Sequence, residues 1–371
     1  MRTPVCEMLG TDLPIFAFSH CRDVVVEVSR AGGFGVLGVS GETAEEMEAN
    51  LRWIDEHIDG KPYGVDLLMP NRYEKVGDTQ KLDPDKLIPK THLDYIGGVL
   101  DQAGVPSLPA EHAAEIIKEN REKLNMTPED AEALLDIALQ HPIKLVVSAL
   151  GIAPTHLIER VHQHGIKVGA LVGRVDQAIQ QKEAGIDVLI AQGAEAGGHT
   201  GSVTSLVLWP QVVDAVAPLP VLAAGGIGRG RQILAALALG AQGVWCGSIW
   251  LGSRQSEVTP EMKERLFEAR SEDAIQSRAL TGKPCRMLKS GFTDAWVAPS
   301  APKPLPMPLQ TMMMSEAIAR ANRAHDKRFI TYPVGQIVGD MKSETSCRQI
   351  IEDMLNEYVD ATESLNQLSM E

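Results

Sequence analysis

The order of apolar runs and amphipathic segments predicts an α/β fold: a (β/α)8 TIM barrel with a helical insertion after strand three and a helical C-terminal extension. Three observations carry that reading. Eight short apolar runs recur between residues 14 and 246, most of them separated by helical patterns. The runs scarcely alternate with polar residues, as expected of parallel strands covered on both faces. Eight strand–helix repeats favour a closed barrel over an open doubly wound sheet, and a chain of 371 residues suits a barrel with insertions.

The first run is Pro14-Ile-Phe-Ala-Phe-Ser19, followed by a helical pattern over 23–31. Gly35-Val-Leu-Gly-Val39 is the second strand, with a helix over 43–57, and Tyr63-Gly-Val-Asp-Leu-Leu68 is the third. The remaining five are Ile143-Lys-Leu-Val-Val-Ser148, Lys167-Val-Gly-Ala-Leu-Val172, Val188-Leu-Ile-Ala191, Val221-Leu-Ala-Ala224 and Gly243-Val-Trp-Cys246. Helices over 155–164, 176–184 and 230–239 separate them.

Two regions exceed a minimal barrel. Residues 70–140 hold three helical patterns, about 92–102, 109–124 and 127–140. The last has Thr127 as N-cap and Glu129 and Asp130 in its first turn, so it is assigned as the third barrel helix. Residues 70–126 are then an insertion over the C-terminal mouth, with 83–90 as solvated surface. Residues 252–371 form the extension, with helical patterns at 260–269, 311–324 and 344–364 and a Pro-rich extended connector at 298–308. No linker to an independent unit is apparent, so 1–371 is expected to be one domain.

Composition narrows the function. With 35 basic and 49 acidic side chains the formal net charge is −14, which argues against nucleic acid as a partner. Cys6, Cys21, Cys246, Cys285 and Cys347 are odd in number and lack a CxxC pair, so neither a disulfide framework nor a metal site is expected. No apolar run is long enough to span a membrane, and the N-terminal residues lack a signal-peptide core. A cytoplasmic enzyme of small molecules is expected, with a homodimer as the assembly carried forward.

Barrel enzymes work at the C-terminal ends of their strands. After strand six comes Gln192-Gly-Ala-Glu-Ala-Gly-Gly-His-Thr-Gly201, a Gly-rich loop holding Gln192, Glu195 and His199. A histidine there is a candidate for a chemical role, because it sits at a strand's functional end and imidazole titrates near neutral pH. His20, after strand one, is the second candidate among ten histidines. Ala224-Gly-Gly-Ile-Gly-Arg-Gly230 follows strand seven and Gly247-Ser248 follows strand eight. These loops are the usual phosphate site of the fold, where backbone N–H groups and a helix N-terminus face the anion. A nicotinamide Rossmann site is not expected, since the glycine spacing is wrong and no acidic ribose ligand follows. Met312-Met-Met314 reads as adaptable core packing. Cys21 is either a reactive thiol or a small packing residue.

Those segments carry a family resemblance. Ala31-Gly-Gly-Phe-Gly-Val-Leu-Gly38, Gly64-Val-Asp66, Ala191-Gln-Gly-Ala-Glu-Ala-Gly-Gly-His199, Ala223-Ala-Gly-Gly-Ile227 and Val244-Trp-Cys-Gly-Ser248 occur in the order of the nitronate monooxygenase family, formerly 2-nitropropane dioxygenases. Thr281-Gly-Lys-Pro-Cys-Arg286, Phe292-Thr-Asp-Ala-Trp296 and Val334-Gly-Gln336 also resemble its pattern. The resemblance implies an FMN-dependent flavoprotein oxidoreductase. By it, Gly225, Gly226, Gly247 and Ser248 would hold the FMN phosphate, with Trp245 and Cys246 beside them. Gln192, Gly197 and Gly198 would contact the flavin or its ribityl chain. Ala17, Phe18, Ser19 and Asp66 would line the isoalloxazine. His199 matches the family's catalytic histidine, which removes the α-proton of a nitroalkane before flavin and O2 complete the oxidation. The same signature occurs in FMN reductases of quinones and enoyl thioesters, so an NAD(P)H-dependent reductase is the alternative. Two positions depart from the family pattern: Phe18-Ser-His20 replaces a usual Ala-Pro-Met, and Asp66 replaces a usual Asn.

Overall fold

The computed structural model describes residues 1–69, 87–123, 128–149 and 151–368. Eight parallel strands close a barrel in the order β1-β2-β3-β4-β5-β6-β8-β9. They are β1 (Ile15–Ser19), β2 (Phe34–Gly38), β3 (Tyr63–Leu67), β4 (Leu145–Ser148), β5 (Lys167–Val172), β6 (Val188–Gln192), β8 (Val221–Ala224) and β9 (Gly243–Cys246). The two-residue β7 (Gly198–His199) lies outside the barrel and joins β10 (Ala274–Ser277) and β11 (Cys285–Leu288) in a small antiparallel sheet. The barrel closes where Ala17 of β1 sits opposite Cys246 of β9.

The side-chain period of two divides the strands into two apolar layers. Phe16, Phe34, Val36, Leu145, Val147, Val188, Ile190, Leu222 and Trp245 fill the barrel interior. Their neighbours along the strands, such as Ala17, Val65, Leu67, Val146 and Cys246, pack outward against the helices. Helix α1 (Pro4–Leu9) adds Val5, Cys6 and Leu9 to the interior layer. The Thr3 hydroxyl donates to the carbonyl of Gln242, just before β9, so α1 plugs the N-terminal end of the barrel.

Helices α2 (Arg22–Arg30) and α3 (Ala44–His57) follow β1 and β2. The start of α3 is set locally: Thr43 accepts from the Glu46 N–H while the Glu46 carboxylate accepts from the Thr43 N–H. Helices α4 (Lys90–Gln102) and α5 (Ala110–Glu122) belong to the stretch after β3. Helix α6 (Pro128–Ala138) takes the third barrel position, burying Leu134, Leu135 and Ala138 in the outer layer. Thr127 and residues 83–86, read from the sequence as an N-cap and as solvated surface, lie outside the described residues. Helices α7 (Thr155–Gln163), α8 (Val175–Glu183), α9 (Ser205–Val216) and α10 (Gly230–Ala238) complete the regular repeats.

The last repeat is interrupted. Helices α11 (Pro260–Glu268), α12 (Gly291–Ala295) and α13 (Leu309–Arg323) intervene before α14 (Cys347–Leu368), which packs against α10 and α2 and so closes the outer layer. The extension is helical, with β10 and β11 as an addition that no apolar alternation announced. Helices α4 and α13 share a separate core of Ile96, Leu100, Phe292, Trp296, Met313, Met314 and Phe329. Buried Arg320 ties them, donating to Asp101 at 2.8 Å and to the Val105 carbonyl at 2.6 Å. No described helix is long and apolar enough to cross a membrane.

Candidate active site

The loop leaving β6 is held by its own backbone. Gly193 donates to the Ala224 carbonyl at 2.9 Å and Ala194 to the Val203 carbonyl at 2.8 Å. The Glu195 carboxylate accepts from the Ser205 N–H at 3.1 and 3.2 Å, so it caps α9 and is not free for chemistry. Gly197 runs against 334–335 so closely that an added Cβ would lie 2.8 Å from the Gly335 nitrogen. His199 then pairs with Cys285 of β11, and Gly198, at φ 80°, pairs with Arg286. The Arg286 guanidinium returns to the Ala194 carbonyl at 2.9 Å. Segments far apart in sequence (281–286 and 334–336) are thereby gathered around one histidine.

His199 is half-buried, and its Nε2 lies 2.9 Å from Thr281 Oγ1. Burial and the nearby Lys283 ammonium hold its pKa below the ordinary imidazole value. The ring is therefore neutral at pH 7, as a base must be.

The anion end is built from glycine. Gly225 and Gly226 adopt φ of 106° and 69°, a conformation that side chains resist, and they turn the chain sharply after β8. Backbone N–H groups of Gly225, Gly226, Gly247 and Ser248 donate to no group among the described residues. The Ser248 hydroxyl accepts from the Gly335 N–H at 2.8 Å, leaving its own proton to give. The expected helix N-terminus differs from the sequence reading. Glu357 of α14 accepts from the Gly230 N–H at 2.8 Å and pairs with Arg229 and Arg231, so the start of α10 is already neutralised by protein. The N–H groups left for an anion belong to the glycine turns and to the short 3-10 turn Ser248–Gly252.

Aromatic rings lie beside the glycine turns: Phe18 packs within 4 Å of where a Cβ on Gly247 would stand. The Phe18 and Trp245 rings stack at 6.1 Å and 27°. His20 meets Phe18 edge-on at 5.2 Å and donates from Nδ1 to the Gly38 carbonyl at 2.7 Å, which gives it an orienting partner of its own. Asp66, at the C-terminal end of β3, alternates with outward-facing Val65 and Leu67 and so faces the barrel interior. It is 4% exposed, and none of the described residues hydrogen-bonds its carboxyl. Burial pushes that carboxyl well above the usual range. Gln192 lies at the end of β6, half-buried. The side chains of Ala17 and Cys246 pack in the outer layer, so only their backbone reaches the mouth. Ser19 Oγ accepts from the Cys21 N–H at 3.1 Å. The Cys21 thiol is buried, donates to the Gln255 carbonyl at 3.0 Å, and is pushed up to about 11, which makes it a packing residue. Met313 and Met314 are core residues as well.

These groups fit a flavin mononucleotide in three respects: N–H groups that no described residue bonds for a phosphate, an aromatic wall for a ring, and a buried carboxyl without a partner among the described residues. Thr281 and Gly335 were legible only as parts of a resemblance, without roles. Glu357 gave no sequence signal, because its partner α10 lies far upstream.

Comparison with known proteins agrees. A model described as nitronate monooxygenase matches residues 99–357. The chain is 46% identical over 376 residues to a Mycobacterium tuberculosis protein called "Putative monooxygenase Rv1533", covering 99% of each. Nitroalkane oxidase from Streptomyces ansochromogenes superposes with a TM-score of 0.79 at 25% identity, over 97% of this chain and 99% of that one. FabK from Thermotoga maritima superposes with a TM-score of 0.72 at 26% identity, over 99% of both. The chain belongs to the nitronate monooxygenase family and is a flavin-dependent oxidoreductase.

Proposed function

We propose that this enzyme binds FMN and oxidises alkyl nitronates and nitroalkanes with O2, with His199 as base. The observation that carries the reading is a neutral, half-buried histidine, anchored through Thr281, on the loop that leaves the strand beside the glycine turns. Gly225, Gly226, Gly247 and Ser248 would hold the phosphate through their N–H groups, assisted by the Ser248 hydroxyl. Phe18, Trp245 and Asp66 would border the ring, and Gln192, Gly197 and Gly198 the ribityl side. Ala17, Ser19 and Cys246 would contribute backbone. Bound there, FMN supplies the redox chemistry toward the nitronate and oxygen. The protein's share is to take the α-proton onto His199, breaking the C–H bond and leaving a nitronate, and to shield that anion from water. Helices α4 and α13, which share one core, would wall the substrate.

The test is His199→Ala. It should retain FMN, lose activity on neutral nitroalkanes by about a hundredfold or more, and keep activity on preformed nitronates. In the parent enzyme, nitroalkane activity should persist below pH 6.5 and fall only as pH drops through the lowered His199 pKa, because the neutral ring is the active form. Full nitroalkane activity in His199→Ala would remove the base assignment.

Asp66 favours a second reading. A buried neutral acid is a proton donor, which an NAD(P)H-dependent reductase of quinones or enoyl thioesters requires. Anaerobic bleaching of the flavin by NADH, but not by nitronates, would select that reading.

A further inference from the structure

We infer that Thr281 is a positioning residue that sets the tautomer of His199, holding Nε2 as the protonated nitrogen and leaving Nδ1 as the atom that takes the proton. The inference rests on His199 being the base in the proposed function. The Thr281 hydroxyl has one proton, and the Lys283 carbonyl lies 3.1 Å from its oxygen. The Lys283 N–H approaches the same oxygen at 3.4 Å from within that turn. With its proton given to a carbonyl that can only accept, Thr281 offers a lone pair to the ring 2.9 Å away. Nε2 must then be the donor. A neutral imidazole carries one N–H, so Nδ1 is the basic nitrogen, and no described residue bonds it.

The turn that carries Thr281 is held from both sides. Gly282 donates to the Arg278 carbonyl at 2.9 Å, and the Arg278 guanidinium returns to the Gly282 carbonyl at 2.9 Å. Gly282 adopts φ 78°, with the Leu305 carbonyl pressed where a Cβ would stand. Buried Gln310 of α13 donates to the Ala279 carbonyl at 2.7 Å and accepts from the Leu305 N–H at 2.8 Å. The backbone that carries the hydroxyl is thus fixed, and turning the side chain away would break its contacts with Lys283. From the other side, the β7–β11 register holds the His199 backbone.

The tautomer can be read without turnover. In FMN-loaded enzyme labelled with 15N-histidine, long-range 1H–15N spectra at pH 8 report which ring nitrogen is protonated. His199 is assigned by its loss in His199→Ala. We expect protonated Nε2 and bare Nδ1 in the parent and in Thr281→Ser, and a mixture in Thr281→Val. Nitroalkane kcat/KM should fall about a hundredfold in Thr281→Val and recover in Thr281→Ser. A protonated Nδ1 in the parent, or a parent-like spectrum in Thr281→Val, would overturn the inference. An enzyme inert toward nitroalkanes that still shows the Nε2–H signature would sink the proposed reaction and uphold the tautomer.

Discussion

Replacing Asp66 by Asn isolates one buried titratable group. Asp66 is 4% exposed and unbonded by the described residues, so the fold holds it as the neutral acid. In the unfolded chain its pKa returns to about 3.9. Between that value and the raised folded value, the folded state binds a proton that the unfolded state has released. Stability from this group is fully present below about pH 4 and is lost as pH rises, at about 1.4 kcal/mol per pH unit, until the folded group ionises. Asparagine has nearly the same shape and does not titrate. The stability of Asp66→Asn relative to the parent should therefore rise with pH above about pH 4, by up to about 1.4 kcal/mol per pH unit. Urea unfolding of the cofactor-free protein at pH 5, 6 and 7 measures it. A difference that stays flat over this range would mean that the carboxyl is ionised in the folded protein, and the argument from burial would be refuted.

Two further substitutions test the frame of the site. Gly197→Ala puts a Cβ within 2.8 Å of the Gly335 nitrogen and 2.9 Å of the Val334 backbone, where nothing flexible can yield. It should cost about 1–3 kcal/mol in urea unfolding and weaken FMN binding; an unperturbed melt would show that 334–335 can retreat. Glu357→Ala removes the cap on α10 and the partner of Arg229 and Arg231. The expected loss is about 1–2 kcal/mol with FMN affinity unchanged. Tighter FMN binding in this variant would place the phosphate at the start of α10 instead of at the glycine turns.

The barrel was legible in the sequence because burial on both faces writes itself locally, as apolar runs bounded by turns. Each of the eight runs overlaps a strand of the barrel within a few residues. The histidine loop and the two glycine turns were equally visible, since a strand's C-terminal end is a position along the chain. Helix α1 was missed because its three core residues sit in a segment too short to show a period. The sheet of β7, β10 and β11 was missed because two- and four-residue strands carry little alternation.

The sequence by itself determined the repeat and the loops that can approach an anion, because those follow from the spacing of apolar groups and from glycine's missing Cβ. Only the tertiary structure decided which hydrogen-bonding groups remain available. It spends Glu195 on α9 and Glu357 on α10, turns Ala17 and Cys246 outward, leaves Asp66 unpaired among the described residues, and sets Thr281 beside His199 across a separation of 82 residues. Whether a donor or acceptor is free depends on partners brought by other elements, and that pairing is a property of the folded packing.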